Sequence, residues 1–199
     1  MKRISILFLL SLLFAAGLQA VAGDVRVSNR KQLFEIYPQT ASALPLRRIR
    51  GAFARGRNRV FGVNGSPQNF ASALVYLRYA AARHYAPAQT LMGLMYAKGY
   101  GLPENHATAR QWYQLAARQG YARALIKLGD WYAEEHVVSA DAVQVYACYA
   151  SAKSHSQIGT PAYRDAIRRI ETLTVRMTAA QKAITHRLQG QYPSQCLKG

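Results

Sequence analysis

The sequence predicts an all-α fold, a short solenoid of paired antiparallel helices closed by two further helices at its C-terminal end. The middle of the chain repeats with a period of 36 residues. Small residues recur in this repeat where helices must approach closely, and no useful stretch alternates apolar and polar residues as a strand does. Because 50% of the 199 residues are hydrophobic, the chain can form a core, which argues against disorder.

The repeat consists of like residues that match in one register without a gap. Alanine and glycine suit positions where two helix backbones lie close together, and large aromatic residues fill the remaining space. Asn69, Asn105 and Asp141 match one another and are predicted N-caps. The other principal matches are Ala52, Ala88 and Ala124; Gly93 and Gly129; Gly65 and Gly101; Tyr96 and Tyr132; Tyr76 and Trp112; and Ala80, Ala116 and Ala152.

Each unit is therefore predicted to be helix, turn, helix. The apolar spacing of Ile167, Ile170 and Leu173 predicts a first helix beyond the repeats, and Thr178 with Gln181 forms a capping-box spacing for a last helix. The predicted helices are, in chain order, 70–84, 86–98, 106–119, 122–135, 142–153, 161–176 and about 178–188.

The central unit contains Ala88-x4-Gly93-x2-Tyr96-x2-Gly99-x-Gly101, then Asn105-x3-Ala109-x2-Trp112-Tyr113-x2-Ala116-Ala117-x2-Gly120. This string resembles a Sel-one-like repeat (SLR), a family related to tetratricopeptide repeats. The resemblance covers about residues 50–155 and implies a right-handed superhelix. The third unit departs from it, since Glu135 and Val137 replace the turn glycines and Cys148 replaces an aromatic. In the first unit Arg57 replaces the helix glycine and Val60 the tyrosine, so its first helix is not established.

The resemblance also implies a non-enzymatic scaffold with a protein or peptide partner on its concave surface, which the first helix of each pair lines. Met95 and Trp131 are also candidates for this surface, but each could instead belong to the core. Of the two, Trp131 is the better candidate for an exposed anchor. The residues predicted to bind the partner are Gln89, Lys98, Arg123, Lys127 and Trp131.

Residues 1–22 are predicted to be a signal peptide. Lys2 and Arg3 precede an apolar stretch, and Ala20-Val21-Ala22 offers small residues for cleavage before Gly23. The alternative is an uncleaved anchor, but the stretch is shorter than the ~20 residues that span a bilayer. We therefore expect a periplasmic or secreted protein with no transmembrane segment after cleavage. The predicted organisation is signal peptide 1–22, N-terminal extension 23–49, repeats 50–155, capping helices 156–191 and a loose tail 192–199.

The only two cysteines, Cys148 and Cys196, would be exported with the mature chain. In an oxidising compartment they are candidates for a disulfide. The alternative is two free thiols, one in a core and one in the tail.

A basic stretch precedes the repeats. The chain has 26 Lys and Arg against 9 Asp and Glu, and residues 47–59 hold six arginines and no acidic residue. This stretch predicts a surface for an anionic envelope glycan or lipid, with a merely solvated helix as the alternative. Nucleic acid is not expected as a partner, because no recognition motif is present. The arginines are Arg47, Arg48, Arg50, Arg55, Arg57 and Arg59.

The motif search predicts no catalytic residue, metal site or cofactor. The five histidines lack metal-ligand spacing, and no nucleophile elbow, Walker loop or dinucleotide fingerprint occurs. Some SLR proteins are linked to β-lactam binding or hydrolysis, so a β-lactam-interacting hydrolase is a third hypothesis. Turnover of a chromogenic β-lactam would test it.

Overall fold

The computed structural model describes residues 46–135 and 142–198. Every regular element in these ranges is a helix, which confirms the predicted all-α helical solenoid. The predicted signal peptide 1–22, most of the extension 23–49 and the predicted cap at Asp141 lie outside the described residues. None of the helices within these ranges is long and apolar enough to cross a membrane.

The helices follow one another as pairs along the chain. Each helix from α1 to α6 packs against the next, and the first helices of successive pairs also touch: α1 with α3, α3 with α5, and α5 with α7. The helices are α1 Leu46–Phe61, α2 Phe70–Ala81, α3 Ala86–Lys98, α4 His106–Ala117, α5 Ala122–Glu135, α6 Ala142–Ser154, α7 Pro161–Arg176, α8 Ala179–Arg187 and α9 Tyr192–Cys196.

The predicted caps form where the sequence places them. The Asn69 side chain accepts a hydrogen bond from the Ser72 backbone N–H at 2.9 Å, and Asn105 accepts one from the Thr108 N–H at 2.8 Å. Each bond satisfies one of the backbone N–H groups that have no intrahelical acceptor at the start of a helix. Gly99 ends α3 in the left-handed conformation, with φ of 64°, which a residue with a side chain rarely adopts.

The repeated glycines bring the two helices of a pair together. A Cβ on Gly93 would lie 2.5 Å from the Tyr113 ring of α4, and one on Gly129 would lie 2.5 Å from the Tyr149 ring of α6. Both rings are buried. Glycine is therefore required here by the close approach of an aromatic ring, as the repeat predicted.

The first unit corrects the ungapped alignment. Gly56 in α1 faces Leu77 and the Ala73 carbonyl in α2, one repeat before the position where Gly93 faces Tyr113 and the Ala109 carbonyl. Gly56 and Gly93 are 37 residues apart, whereas Leu77 and Tyr113 are 36 apart. The turn between α1 and α2 thus holds one extra residue, and Gly56, rather than the residue at position 57, occupies the helix-glycine position.

The matching backbone bonds agree with this shift. The Asn69 N–H donates to the Arg59 carbonyl at 2.8 Å, as the Asn105 N–H donates to the Tyr96 carbonyl at 2.9 Å. Arg59 therefore takes the place of the repeat tyrosine. The first helix, which the ungapped register left unestablished, is a regular helix of 16 residues.

Two alanine substitutions in α1 test the shifted register. Gly56→Ala places a Cβ 2.8 Å from Leu77 and 3.3 Å from the Ala73 carbonyl oxygen, so we expect it to lower the free energy of unfolding by about 1 to 3 kcal/mol. Gly51→Ala is the matched control, because its nearest neighbour is the Arg55 guanidinium at 3.8 Å. It should raise that free energy by about 0.5 to 1 kcal/mol through helix propensity. Urea unfolding measures both, and equal stabilisation would contradict the register.

The C-terminal helices gather around α6, which contacts α5, α7, α8 and α9. The predicted capping box of α8 is confirmed, since Thr178 and Gln181 bond reciprocally. The prediction of a loose tail over 192–199 is wrong, because residues 192–196 form the helix α9. A disulfide joins Cys148 of α6 to Cys196 of α9, and both residues are fully buried. The Tyr192 hydroxyl also donates to the Thr185 carbonyl at 2.9 Å.

Candidate partner-binding groove

A groove of about 430 Å³ runs across the first helices of the pairs and continues onto α7. We call it the concave groove. Since α7 forms one wall of it, this helix has a role beyond the capping predicted for it. The groove is lined from α1 by Phe53, Arg57 and Phe61; from α3 by Pro87, Thr90, Leu91 and Leu94; from α5 by Arg123, Ile126 and Lys127 after Tyr121; and from α7 by Pro161, Ala162, Asp165 and Arg168.

The spacing of the lining residues explains why they share one surface. Those of α3 stand at i, i+3, i+4 and i+7, which is one face of a helix. The remainder of α3 is largely buried, because this helix lies between two neighbouring pairs. Phe53, Arg57 and Phe61 repeat the pattern at intervals of four on α1. The groove residues therefore follow from helical periodicity once the orientation of each helix is known.

The groove combines an apolar floor with basic side chains. Among the described residues that line it, four are cations and one, Asp165, is a carboxylate. Asp165 pairs with Arg168, and Lys127 pairs with Asp130 at 3.3 Å. Within the described ranges, no carboxylate forms an ion pair with Arg57 or Arg123. Arg57 donates to the Asn58 amide oxygen at 3.4 Å, but neither guanidinium group faces a described counter-charge, so both can pair with an anionic group of a ligand.

Two of the residues predicted to bind a partner line the groove, Arg123 and Lys127. The prediction for Gln89 is wrong, because its side chain is 2% exposed. Its amide donates to the Ala81 carbonyl at 3.3 Å and accepts from Gln119 at 2.7 Å. Met95 is fully buried and belongs to the core, the alternative named for it.

The other two predicted residues lie outside the groove. Lys98 is exposed at the C-terminal end of α3. Trp131 packs against the hydrophobic core, and the Arg110 guanidinium lies 4.8 Å from the centre of its ring. The predicted anchor is thus half-buried beneath another side chain. Sequence reasoning missed the groove floor, above all Thr90, Leu91 and Leu94 of α3, whose positions three, four and seven residues after Pro87 were the available signal.

The arginines of residues 47–59 do not form one patch. Arg57 lines the concave groove, whereas Arg47, Arg48 and Arg55 line a separate depression of about 930 Å³. The α2 residues Val75, Tyr76 and Tyr79 complete this depression, together with Gly51 and Ala52 of α1. We call it the end surface, since no helix of the described ranges precedes α1. Arg50 is exposed and Arg59 half-buried, and neither lines either depression.

The end surface is basic and partly apolar. None of the described residues that line it is acidic, and Val75 is 66% exposed. The Arg55 guanidinium lies 5.2 Å from the centre of the Tyr76 ring, a cation–π contact that restrains it. The surface therefore offers positive charge beside aromatic faces.

Asp130 connects three helices beneath the groove. Its carboxylate accepts hydrogen bonds from Arg169 of α7 at 3.0 Å, from the Tyr149 hydroxyl of α6 at 3.1 Å and from Lys127 at 3.3 Å. The Asp130 side chain is only 17% exposed, so these bonds are largely shielded from water. The network holds the α7 wall against α5 and α6.

Two buried tyrosines near this network predict an alkaline instability. Burial and the Asp130 carboxylate raise the pKa of Tyr149, and the same causes raise the pKa of Tyr113. Because both hydroxyls hold their protons more tightly in the folded protein, the neutral tyrosines favour the folded state fully below the unfolded pKa of about 10. This contribution to stability is lost as the pH rises toward the folded pKa. We expect the free energy of unfolding to decline above about pH 10, and less steeply in Tyr149→Phe. Urea unfolding across this range measures both slopes, and equal slopes would refute the role of Tyr149.

No group of His, Cys, Asp and Glu side chains in the described part of the chain could hold a metal ion. The cysteines that were candidates for pairing are joined as the disulfide described above.

Two segments match the Sel1 repeat family, residues 52–85 and residues 86–121. The chain is similar to the crystal structure of a Sel1 repeat protein from Oxalobacter formigenes, with a TM-score of 0.50 and 28% identity over 62% of this chain and 88% of that one. It is also similar in fold to c5321, a protective antigen present in uropathogenic Escherichia coli strains that displays an SLR fold. That TM-score is 0.52, with 20% identity over 75% of this chain and 38% of that one. None of the curated proteins matches the chain.

Proposed function

Since the chain is a Sel1-like repeat protein, we propose that it is an exported, non-enzymatic scaffold that holds a segment of a partner protein in the concave groove. Sel1 repeat proteins generally act as scaffolds for protein–protein interaction. The observation that carries the proposal is the groove itself. It has an apolar floor, a basic rim and a length that crosses four helices.

The groove suits a peptide segment better than a small molecule. It is open along the solenoid, and its apolar residues come from separate helices rather than from one enclosed cavity. Side chains of an extended segment can contact successive helices in turn, which is how stacked helix pairs present a binding surface. The partner is therefore expected to contribute a continuous stretch of chain.

An envelope or extracellular location is part of the proposal. Its support is the signal-peptide pattern of residues 1–22 together with the buried disulfide, because such bonds persist in oxidising compartments. Periplasmic retention and release from the cell are both compatible with this support.

A pull-down with the mature, tagged chain tests the scaffold function. We expect a discrete protein to stay bound at about 300 mM salt, where exposed charge pairs are screened. Leu94→Glu should abolish this capture by placing a charge on the apolar floor. Val175→Glu is the matched control, because Val175 is 85% exposed and lies outside the groove. Circular dichroism verifies that both variants fold, and equal capture by wild type and Leu94→Glu would refute the groove as the site.

The end surface supports a second candidate function, binding of an anionic envelope glycan or lipid. Its three arginines share the depression with no acidic residue of the ranges that the structure describes. We expect the triple change Arg47→Gln, Arg48→Gln and Arg55→Gln to abolish binding to lipopolysaccharide at about 50 mM salt. The triple change Lys98→Gln, Arg176→Gln and Arg187→Gln removes the same charge elsewhere and should preserve binding. Equal losses in both variants would indicate attraction by net charge alone.

A further inference from the structure

The two unpaired guanidinium groups of the concave groove lie on different helices. Arg57 belongs to α1 and Arg123 to α5, and α3 lies between these helices and contacts both. The other two cations of the groove, Lys127 and Arg168, already face Asp130 and Asp165. An anionic ligand therefore has two separated binding positions rather than one cluster.

The repeat fixes where these positions lie along the helices. Arg57 follows the helix glycine Gly56 by one residue, whereas Arg123 precedes its equivalent, Gly129, by six. At 1.5 Å per residue, the two differ in height by about 10 Å along parallel helices. Thr90 and Leu91 precede Gly93 by three and two residues, so they lie midway. The line from Arg57 to Arg123 crosses the groove diagonally over this apolar part of α3.

The distance between Arg57 and Arg123 sets the number of residues that an extended ligand needs to reach both. Packed helix axes lie about 8 to 10 Å apart, so α1 and α5 are about 16 to 20 Å apart across α3. Combined with the difference in height, the diagonal is about 20 Å. An extended chain advances about 3.3 Å per residue, and about six residues therefore span the distance between the backbone positions of Arg57 and Arg123.

We infer that the groove selects an extended segment with two acidic side chains about six residues apart and apolar residues between them. The acidic side chains pair with Arg57 and Arg123, and the apolar residues lie on Leu91 and Leu94. This inference rests on the proposed function, since it specifies the chemistry of the partner segment. Charge complementarity carries it, because the groove has two unpaired cations and its single carboxylate is already paired.

Selection from a random library of displayed peptides tests the inference. The library should hold peptides of about twelve residues, long enough to include the six-residue spacing. The immobilised mature chain is the target, and Thr90→Glu is the counter-target because it places a negative charge on the diagonal. We expect peptides that bind wild type but not Thr90→Glu, enriched in Asp or Glu about six positions apart around an apolar centre.

A charge exchange then tests the pairing on one selected peptide. Arg57→Glu and Arg123→Glu should each weaken binding about tenfold. Changing the matching acidic residue of the peptide to Lys should restore most of that loss for one variant and not for the other. Lys98→Glu, a change of equal charge outside the groove, should have less than about a threefold effect.

The alternative outcomes are distinguishable. Peptides that depend on the groove but lack paired acidic residues would overturn this inference and leave the proposed function intact. Failure to obtain any groove-dependent peptide would overturn both. A dimer that dissociates in Thr90→Glu would identify a second copy as the occupant. If peptides bind only after Asp24→Asn and Glu35→Gln have removed these acidic residues of the extension 23–49, the chain's own extension would be identified as the occupant. Either result would overturn the inference.

Discussion

Reduction of the Cys148–Cys196 disulfide is expected to lower the free energy of unfolding by about 4 kcal/mol. The bond joins residues 48 positions apart, so breaking it releases a long loop in the unfolded chain and increases its entropy. Reduction preserves both sulfur atoms, so this measurement separates loop closure from the loss of buried volume. Urea unfolding with and without reductant gives the difference, and intact mass verifies the redox state.

The double variant Cys148→Ala and Cys196→Ala is the control for reduction. It should be less stable than the oxidised protein and insensitive to reductant. Hydrogen exchange should also accelerate at the amides of α9, whose remaining contacts include the hydrogen bond from the Tyr192 hydroxyl to the Thr185 carbonyl at 2.9 Å. An equal response to reductant in both proteins, or no response in fully reduced wild type, would show that the bond does not stabilise the fold.

The sequence predicted the helices well because their determinants are local. Alanine and glycine matches set the pairs, and asparagine caps set the starts of α2 and α4. The helix predicted over 70–84 ends at Ala81, and the one predicted over 161–176 has those bounds. Helix ends depend on caps within a few residues, which a single sequence displays directly.

The first unit was predicted poorly because a one-residue insertion disrupts periodicity. An ungapped comparison placed Arg57 where the fold requires Gly56, and the shift is revealed by the contacts of Gly56 with Leu77 and the Ala73 carbonyl of α2. An extra residue in the turn before or after a helix leaves the apolar spacing within that helix unchanged. Local propensity therefore could not locate the insertion, and the contact between helices could.

The groove was predicted only in part because orientation depends on distant residues. Arg123 and Lys127 were placed correctly on the first helix of their pair, whereas Gln89 was taken for an exposed polar residue. Its buried amide is satisfied by Gln119, which is 30 residues away. A polar residue can be buried when it has such a partner, and sequence periodicity alone does not reveal one. The contribution of α7 was missed for the same reason, since it follows from packing on α6.

Asp130→Asn is expected to lower the free energy of unfolding by about 2 to 3 kcal/mol. The change preserves the volume of the side chain but removes the charge that faces Arg169 at 3.0 Å. Arg169 is 30% exposed, and its next carboxylate, Asp165, lies 4.0 Å away. The half-buried guanidinium would then keep only this more distant carboxylate as a counter-charge, which costs more than the loss of an ordinary hydrogen bond. Urea unfolding at neutral pH measures the difference.

Asp165→Asn is the matched control, because its near partner Arg168 is 73% exposed and its contact with Arg169 is longer, at 4.0 Å, so the loss should be less than about 1 kcal/mol. Adding Arg169→Met to Asp130→Asn should recover part of the lost stability, since it removes the uncompensated charge. If Asp130→Asn costs no more than Asp165→Asn, the network does not hold α7. A loss that Arg169→Met relieves would show that one carboxylate fixes the wall of the concave groove, so that groove shape and fold stability depend on the same residue.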